Sequence, residues 1–175
     1  MIALVEILVL AVSVLIAPDR ADALRATAPR DLTRETAAAH LAAASIAGFL
    51  TDTDPALLLA IAHHESRYAF RVVARERGRK VSCGVMTPEP THDRAACADA
   101  TSSMLAGYLA GARHLRTWSD ACHGDRRCTL IGYAGGYALI RACARGEKLR
   151  GCRVPGVFGA RATAIERALD PRTGT

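Results

Sequence analysis

The sequence predicts a mostly α-helical, single-domain protein, and three observations carry that expectation. Half of the 175 residues are hydrophobic, enough for a real core, while only 5% are aromatic. The apolar residues gather in Ala-rich stretches, a composition that suits closely packed helices better than a β-sandwich. No internal repeat, heptad run or low-complexity tract is present, which excludes solenoids, coiled coils and collagen-like folds. Wholesale disorder is excluded by the same apolar content.

The N-terminus sets the first boundary. Ile7 to Ala17 reads ILVLAVSVLIA, 11 apolar residues. That is short for a membrane span, which needs about 20, and suits the core of a signal peptide. Pro18 follows as a breaker, and Ala21-Asp22-Ala23 has the small-x-small form of a cleavage site. Against this, the segment before the apolar run lacks Lys and Arg and carries Glu6. Residues 1–23 are therefore expected to be a signal peptide or an N-terminal anchor, 24–32 a linker, 33–170 the domain and 171–175 a tail.

Within the domain, a helix is expected from Thr33 to about Leu50, with Leu41, Ala44, Ser45 and Gly48 along one packing face. Asp54 followed by Pro55 is a sharper start signal, because a side-chain acceptor precedes a residue that lacks an N–H. The helix it opens should run to about Tyr68. Leu58, Ile61, Ala62 and Glu65 share a face at helical spacing, so an apolar stripe ends in a carboxylate. From Phe70 to Cys97 the pattern is irregular, broken by Gly78, Gly84, Pro88 and Pro90, and gives no strand signal. Asp99 is the expected cap of a helix carrying Met104, Leu105, Tyr108, Leu109, Ala112 and Leu115 to near Trp118. A charged loop spans Cys122 to Cys128. Leu130–Ala144 is expected to be helical despite Gly132, Gly135 and Gly136. A last helix spans Phe158 to Leu169, with Pro171 beyond its end.

The six cysteines, Cys83, Cys97, Cys122, Cys128, Cys143 and Cys152, agree with export, since an even count in an exported domain favours disulfides. Sequential pairing, Cys83–Cys97, Cys122–Cys128 and Cys143–Cys152, closes the shortest loops and is the expected arrangement. Zinc held by Cys122, His123 and Cys128 is the rival, but no CxxC or HExxH pattern accompanies it. No metal and no cofactor is expected.

Lys and Arg number 23 against 17 acids, a net charge of +6, and only Lys80 and Lys148 are lysines. Cleavage after Ala23 would remove one Arg and three acids, raising the charge to +8. Such a balance fits an anionic partner or simply a solvated basic surface. A nucleic-acid binder is disfavoured: the arginines are scattered, and no aromatic RNA-reading motif occurs.

Glu65 has two readings from its position alone. It is a carboxylate at the core's edge, paired with an arginine such as Arg67 or Arg71, or a general acid whose pKa burial raises. His63 and His64 lie about 100° apart on a helix, so they do not readily share a metal. His64 aligns with Ile61 and Tyr68, where it would hydrogen-bond in the core or line a groove. Trp118, Tyr108 and Tyr137 are expected to be packing residues. Tyr68 packs as well, close enough to Glu65 to touch substrate.

The segment LLLAIAHHESRY, Leu57 to Tyr68, resembles the catalytic-helix motif of the soluble-type (SLT-type) lytic transglycosylases and their goose-type lysozyme relatives, where a helix ends in Glu-Ser. CGVMTPEP, Cys83 to Pro90, is similar to the Gly-Leu-Met-Gln segment that lines the glycan groove in that superfamily. IGYAGGYA, Ile131 to Ala138, is similar to its Ala-Tyr-Asn-Ala-Gly motif, whose Tyr hydrogen-bonds near the catalytic Glu. The motifs occur in the family's order and span about half the chain.

The resemblance implies a single lysozyme-like domain with disulfide-stapled loops. It implies Glu65 as catalytic acid and base, Ser66 as its hydrogen-bond partner, and Tyr68, Gly84, Val85, Met86 and Thr87 as substrate-groove residues. Tyr133 would orient Glu65 or the substrate. Thr87 departs from the family's Gln, and Ala134 from its Asn. The implied reaction cleaves the β-1,4 bond between N-acetylmuramic acid and N-acetylglucosamine with one carboxyl. A paired-carboxylate glycosidase needs a second carboxyl about 5–9.5 Å from the first; Glu89 and Asp93 are the nearest candidates. The implied partner is the peptidoglycan glycan strand, met by an exported monomer, periplasmic or extracellular, with transient membrane association through the N-terminal segment. The departures leave an alternative: a non-catalytic wall-binding or structural module on the same scaffold.

Overall fold

The computed structural model describes residues 18–28, 32–69, 71–75, 81–87 and 94–170. Among them are seven α-helices: α1 (Pro18–Thr27), α2 (Arg34–Thr51), α3 (Pro55–Ser66), α4 (Arg94–Ser102), α5 (Met104–Ala121), α6 (Arg126–Ala144) and α7 (Val154–Leu169). A 3-10 turn, Arg150–Arg153, leads into α7. The segment expected to be irregular contains a short antiparallel hairpin, β1 (Val73–Arg75) with β2 (Val81–Cys83), in which Val73 faces Cys83. Three-residue strands are too short to leave a period in the sequence.

α3 is the hub, packed against α2, α5 and α7. Every residue from Ala56 to Ala62 is buried, so its first two turns are apolar all round, the signature of a helix enclosed by others. Alanines allow the close approach: Ala37, Ala42, Ala43, Ala44 and Ala47 of α2 have no accessible surface. Ser45, expected on that packing face, is exposed. The face instead turns through His40, which is wholly buried, with Nδ1 3.1 Å from the Tyr108 hydroxyl of α5.

Four helices start on side-chain caps. Thr33, Asp54, Ser103 and Asp125 accept from the backbone N–H of Thr36, Ala56, Ala106 and Cys128. Each such cap stabilises its helix by about 1 kcal/mol. The Asp54–Pro55 start is as expected. Asp99 is not a cap: it lies inside α4, and the true start of the following helix is Ser103. At the break between α4 and α5 the Ser103 hydroxyl stands in for the i−4 carbonyl as acceptor of the Ala106 N–H.

The linker expected from Leu24 is also corrected. Pro18 opens α1 rather than ending structure, and Ala21 and Leu24 are buried in the main core against α2 and α7. Pro tolerates the first helical turn because its N–H would be unpaired there anyway. The small-x-small site Ala21-Asp22-Ala23 therefore lies within a packed helix, with Asp22 accepting from Arg25 and Arg34. Residues 1–17 and the 171–175 tail lie outside the described residues. No helix among the described residues is long and apolar enough to cross a membrane.

All six cysteines pair sequentially, Cys83–Cys97, Cys122–Cys128 and Cys143–Cys152. Cys122 and Cys128 bond each other, so they are not thiolate ligands for zinc. The first bond ties β2 to α4, and the third ties the end of α6 to the 3-10 turn before α7.

Candidate functional site

The site forms where α3 stops. Arg67 adopts a left-handed conformation (φ 52°) and caps the helix through its N–H to His63 O; Tyr68 follows in the same region (φ 69°). Such φ values are unusual for non-glycine residues and carry strain of roughly 1–3 kcal/mol each. Thr87, across the site, has φ 39°. Three of the five non-glycine residues with positive φ among the described residues are thus Arg67 and Tyr68, which follow Glu65 within three positions, and Thr87, which bonds it.

Glu65 is half-buried, and its Oε2 accepts a 2.9 Å hydrogen bond from the Thr87 hydroxyl. Burial lifts the carboxyl above the ordinary carboxylate range, while the Thr87 hydrogen bond and nearby His64 pull it partly back. A carboxyl held this way can carry a proton at higher pH than a solvated one, and it keeps an open side from which to deliver it.

Thr87 is held by its neighbours. β2 leads into a turn in which Thr87 N donates to Gly84 O, and the Cys83–Cys97 bond fixes the strand. The buried Met86 side chain plugs a niche in α5 that only glycine leaves open: a Cβ at Gly111 would fall 2.5 Å from Met86 Cβ and Sδ. The Tyr133 hydroxyl of α6 donates to Met86 O at 2.6 Å. Burial, and then the charge of Glu65, push the Tyr133 pKa far up, so the phenol remains a donor.

The sequence-derived set is thus brought together in part. Glu65, Thr87, Met86 and Tyr133 converge. The Tyr133 hydroxyl bonds the Met86 carbonyl, not Glu65, so its link to that carboxyl runs through the segment carrying Met86 and Thr87. Ser66 does not bond Glu65: its hydroxyl donates back to Ala62 O at 2.9 Å, the common alternative for Ser inside a helix. Tyr68 is not at the open face; it is buried against His40, ring centroids 4.9 Å apart. The Val85 and Met86 side chains are in the core, so, with buried Gly84, they shape the site through the backbone. His64 is exposed, not in the core, and its ring meets Phe158 of α7 edge-on at 5.1 Å. His63 accepts from Arg161 of α7 through Nδ1. The direct Thr87–Glu65 bond escaped the sequence reading, since it depends on where the hairpin returns the chain.

Glu89 and Asp93 lie outside the described residues. Two surface concavities are elsewhere, at the α2–α3 junction around Phe49 and Pro55, and between that junction and the α5–α6 turn. Comparison of the chain with protein-family models, curated proteins and solved structures returns no match.

Proposed function

We propose that the chain is an exported peptidoglycan lytic transglycosylase on a lysozyme-like, SLT-type scaffold, with Glu65 as its acid and base. The observation that carries this reading is the Glu65 environment: a half-buried carboxyl whose pKa burial raises, at the end of an apolar helix, held by the threonine that follows a Gly-Val-Met turn. The ordered resemblance of the segments around Glu65, Met86 and Tyr133 to the transglycosylase motifs supports it. Three disulfides support an oxidising compartment, periplasmic or extracellular.

In the proposed reaction, the Glu65 carboxyl gives its proton to the glycosidic oxygen as the bond from muramic C1 breaks. The resulting carboxylate then takes the proton of the muramic C6 hydroxyl while that oxygen bonds C1. The product is a 1,6-anhydro ring, and Glu65 returns to its starting state. Raised basicity serves both halves, because one group must first donate and then accept. No cofactor enters the scheme.

Mass spectrometry of purified peptidoglycan digested by the protein tests this, with Glu65→Gln in parallel. Anhydromuropeptides from the parent and none from the variant are expected. Reducing-end muropeptides would make the reaction hydrolytic. The second reading, a wall-binding module without activity, is motivated by Thr87 and Ala134 standing where the resembled motifs have amides. It predicts no released fragments from either protein and sedimentation of both with the wall.

A further inference from the structure

α6 bends in its middle. Gly136 has φ 65° and ψ −168°, a conformation nearly confined to glycine, and the helical path changes there. Tyr133, before the bend, is 5% exposed; Tyr137, just after it, is 59% exposed. Tyr137 was expected to pack inside, and the bend is why it does not.

The exposed ring is nonetheless held. It meets the Trp118 indole of α5 at a centroid distance of 4.9 Å and 63°. Trp118 is only 6% exposed, and its Nε1 donates to His114 Nε2 at 3.1 Å. A Cβ at Gly132 would lie 2.4 Å from Trp118 Cε3, so the indole rests directly on the α6 backbone. The His114 ring is in turn 5.3 Å from that of Tyr133. A continuous set of ring contacts therefore joins Tyr137 to the residue that braces Met86 and Thr87 beside Glu65. Around Tyr137 the exposed positions are Ala134, Gly135 and Ala138, none bulkier than a methyl group, and Arg141 one turn further on.

We propose that Tyr137, backed by Trp118, is a stacking platform for an N-acetylhexosamine ring of the glycan strand that Glu65 acts on. The inference rests on the proposed function. A pyranose offers a flat face of C–H groups, and burying it on an aromatic ring releases water from both. A ring already braced loses little conformational freedom on binding. The small side chains at Ala134, Gly135 and Ala138 leave one side of the ring open to an extended chain of sugars.

Trp118 is the chain's single tryptophan, so its emission reports on Tyr137 directly. N,N′,N″-triacetylchitotriose would be titrated into Glu65→Gln and into the same variant carrying Tyr137→Ala or Tyr137→Phe. Calorimetry on the same solutions would give affinity independently of the optical signal, and circular dichroism would verify folding. Saturable binding with a Trp118 response is expected for Glu65→Gln and is retained with Tyr137→Phe. Tyr137→Ala is expected to weaken binding about tenfold. In the cleaving protein it should raise KM for fragment release about tenfold and leave kcat within about twofold.

The proposal is overturned if chitotriose does not bind, if Tyr137→Ala leaves affinity and KM unchanged, or if Tyr137→Phe is as impaired as Tyr137→Ala. Self-association of the parent that Tyr137→Ala abolishes would name a second copy as the occupant and also overturn it. If binding depends on Tyr137 while the parent releases no fragments, the platform stands and the cleavage reading falls.

Discussion

α3 contains two regions of opposite character within twelve residues. From Ala56 to Ala62 every side chain is apolar and enclosed, the terminal Asp54 cap is satisfied, and the backbone is regular. From His63 onward the helix carries His63, His64, Glu65 and Ser66, and it ends on two consecutive left-handed residues, Arg67 and Tyr68. The first region is what a stable bundle needs. The second half-buries a carboxyl beside a strained turn, which costs stability and accords with the role proposed for that carboxyl. The contrast teaches that adjoining turns of one helix do different work: the enclosed turns fix the axis along which Glu65 is presented, and the last turn supplies the polar groups to which the proposed reaction assigns chemistry.

Substitutions in the two regions should therefore separate activity from stability. Glu65→Gln is expected to lower fragment release by about a thousandfold or more, a general-acid loss, while thermal melting shows a fold at least as stable as the parent. A Gln variant that melts far below the parent would break the division between the regions. Leu58→Ala, seven residues earlier, should do the reverse. It leaves a cavity in a fully buried position and should cost about 2–5 kcal/mol in urea titrations, with kcat preserved in the molecules that remain folded.

Acid should weaken the enclosed region next. Burial holds His40 down to about 4, against an ordinary value near 6.5, with the Tyr68 backbone carbonyl opposing the shift. A histidine kept neutral in the fold takes up its proton more readily when unfolded. Stability is thus complete above about pH 6.5 and declines as pH falls toward 4, by about 2–3 kcal/mol at pH 4.5. Glu65 acts in the opposite sense, because its raised pKa favours the fold at low pH. Melts of the parent and His40→Gln from pH 7.5 to 4.5 would expose the difference: the parent's acid slope should flatten in the variant. Equal slopes would remove His40 as the cause.

The smallest effect concerns Thr87. Its hydrogen bond favours the charged form of Glu65, so Thr87→Val should raise the Glu65 pKa and move the alkaline limb of the pH–activity profile upward. The melting temperature should scarcely change. A limb that stays in place would mean that Thr87 only shapes the turn.

Several of these features were legible in the residues. Asp54 before Pro55 announces the start of α3 by local chemistry alone, and the short loops between successive cysteines favour the pairs that form. Glu65 stood out as a carboxylate ending an apolar run. The reason, however, is broader than a stripe, since all sides of α3 are buried before it. What could not be read depends on distant segments meeting. Ser66 turns to its own helix, where the Ala62 carbonyl one turn back accepts its hydroxyl. Tyr68 turns inward because the left-handed pair reverses the chain toward His40. α1 was hidden because it buries so little, chiefly Ala21 and Leu24, and because Pro18 reads equally as a stop and as a first turn.

α1 and α7, the first and last described helices, lie side by side. A chain built that way cannot close its core while it is still being made, since the surface awaiting Ala21 and Leu24 is completed last. Each disulfide, by contrast, joins partners 6 to 14 residues apart and needs only its own neighbourhood to form. Loops can therefore be stapled in order as the chain emerges, while the docking of α1 against α7 acts as the latch.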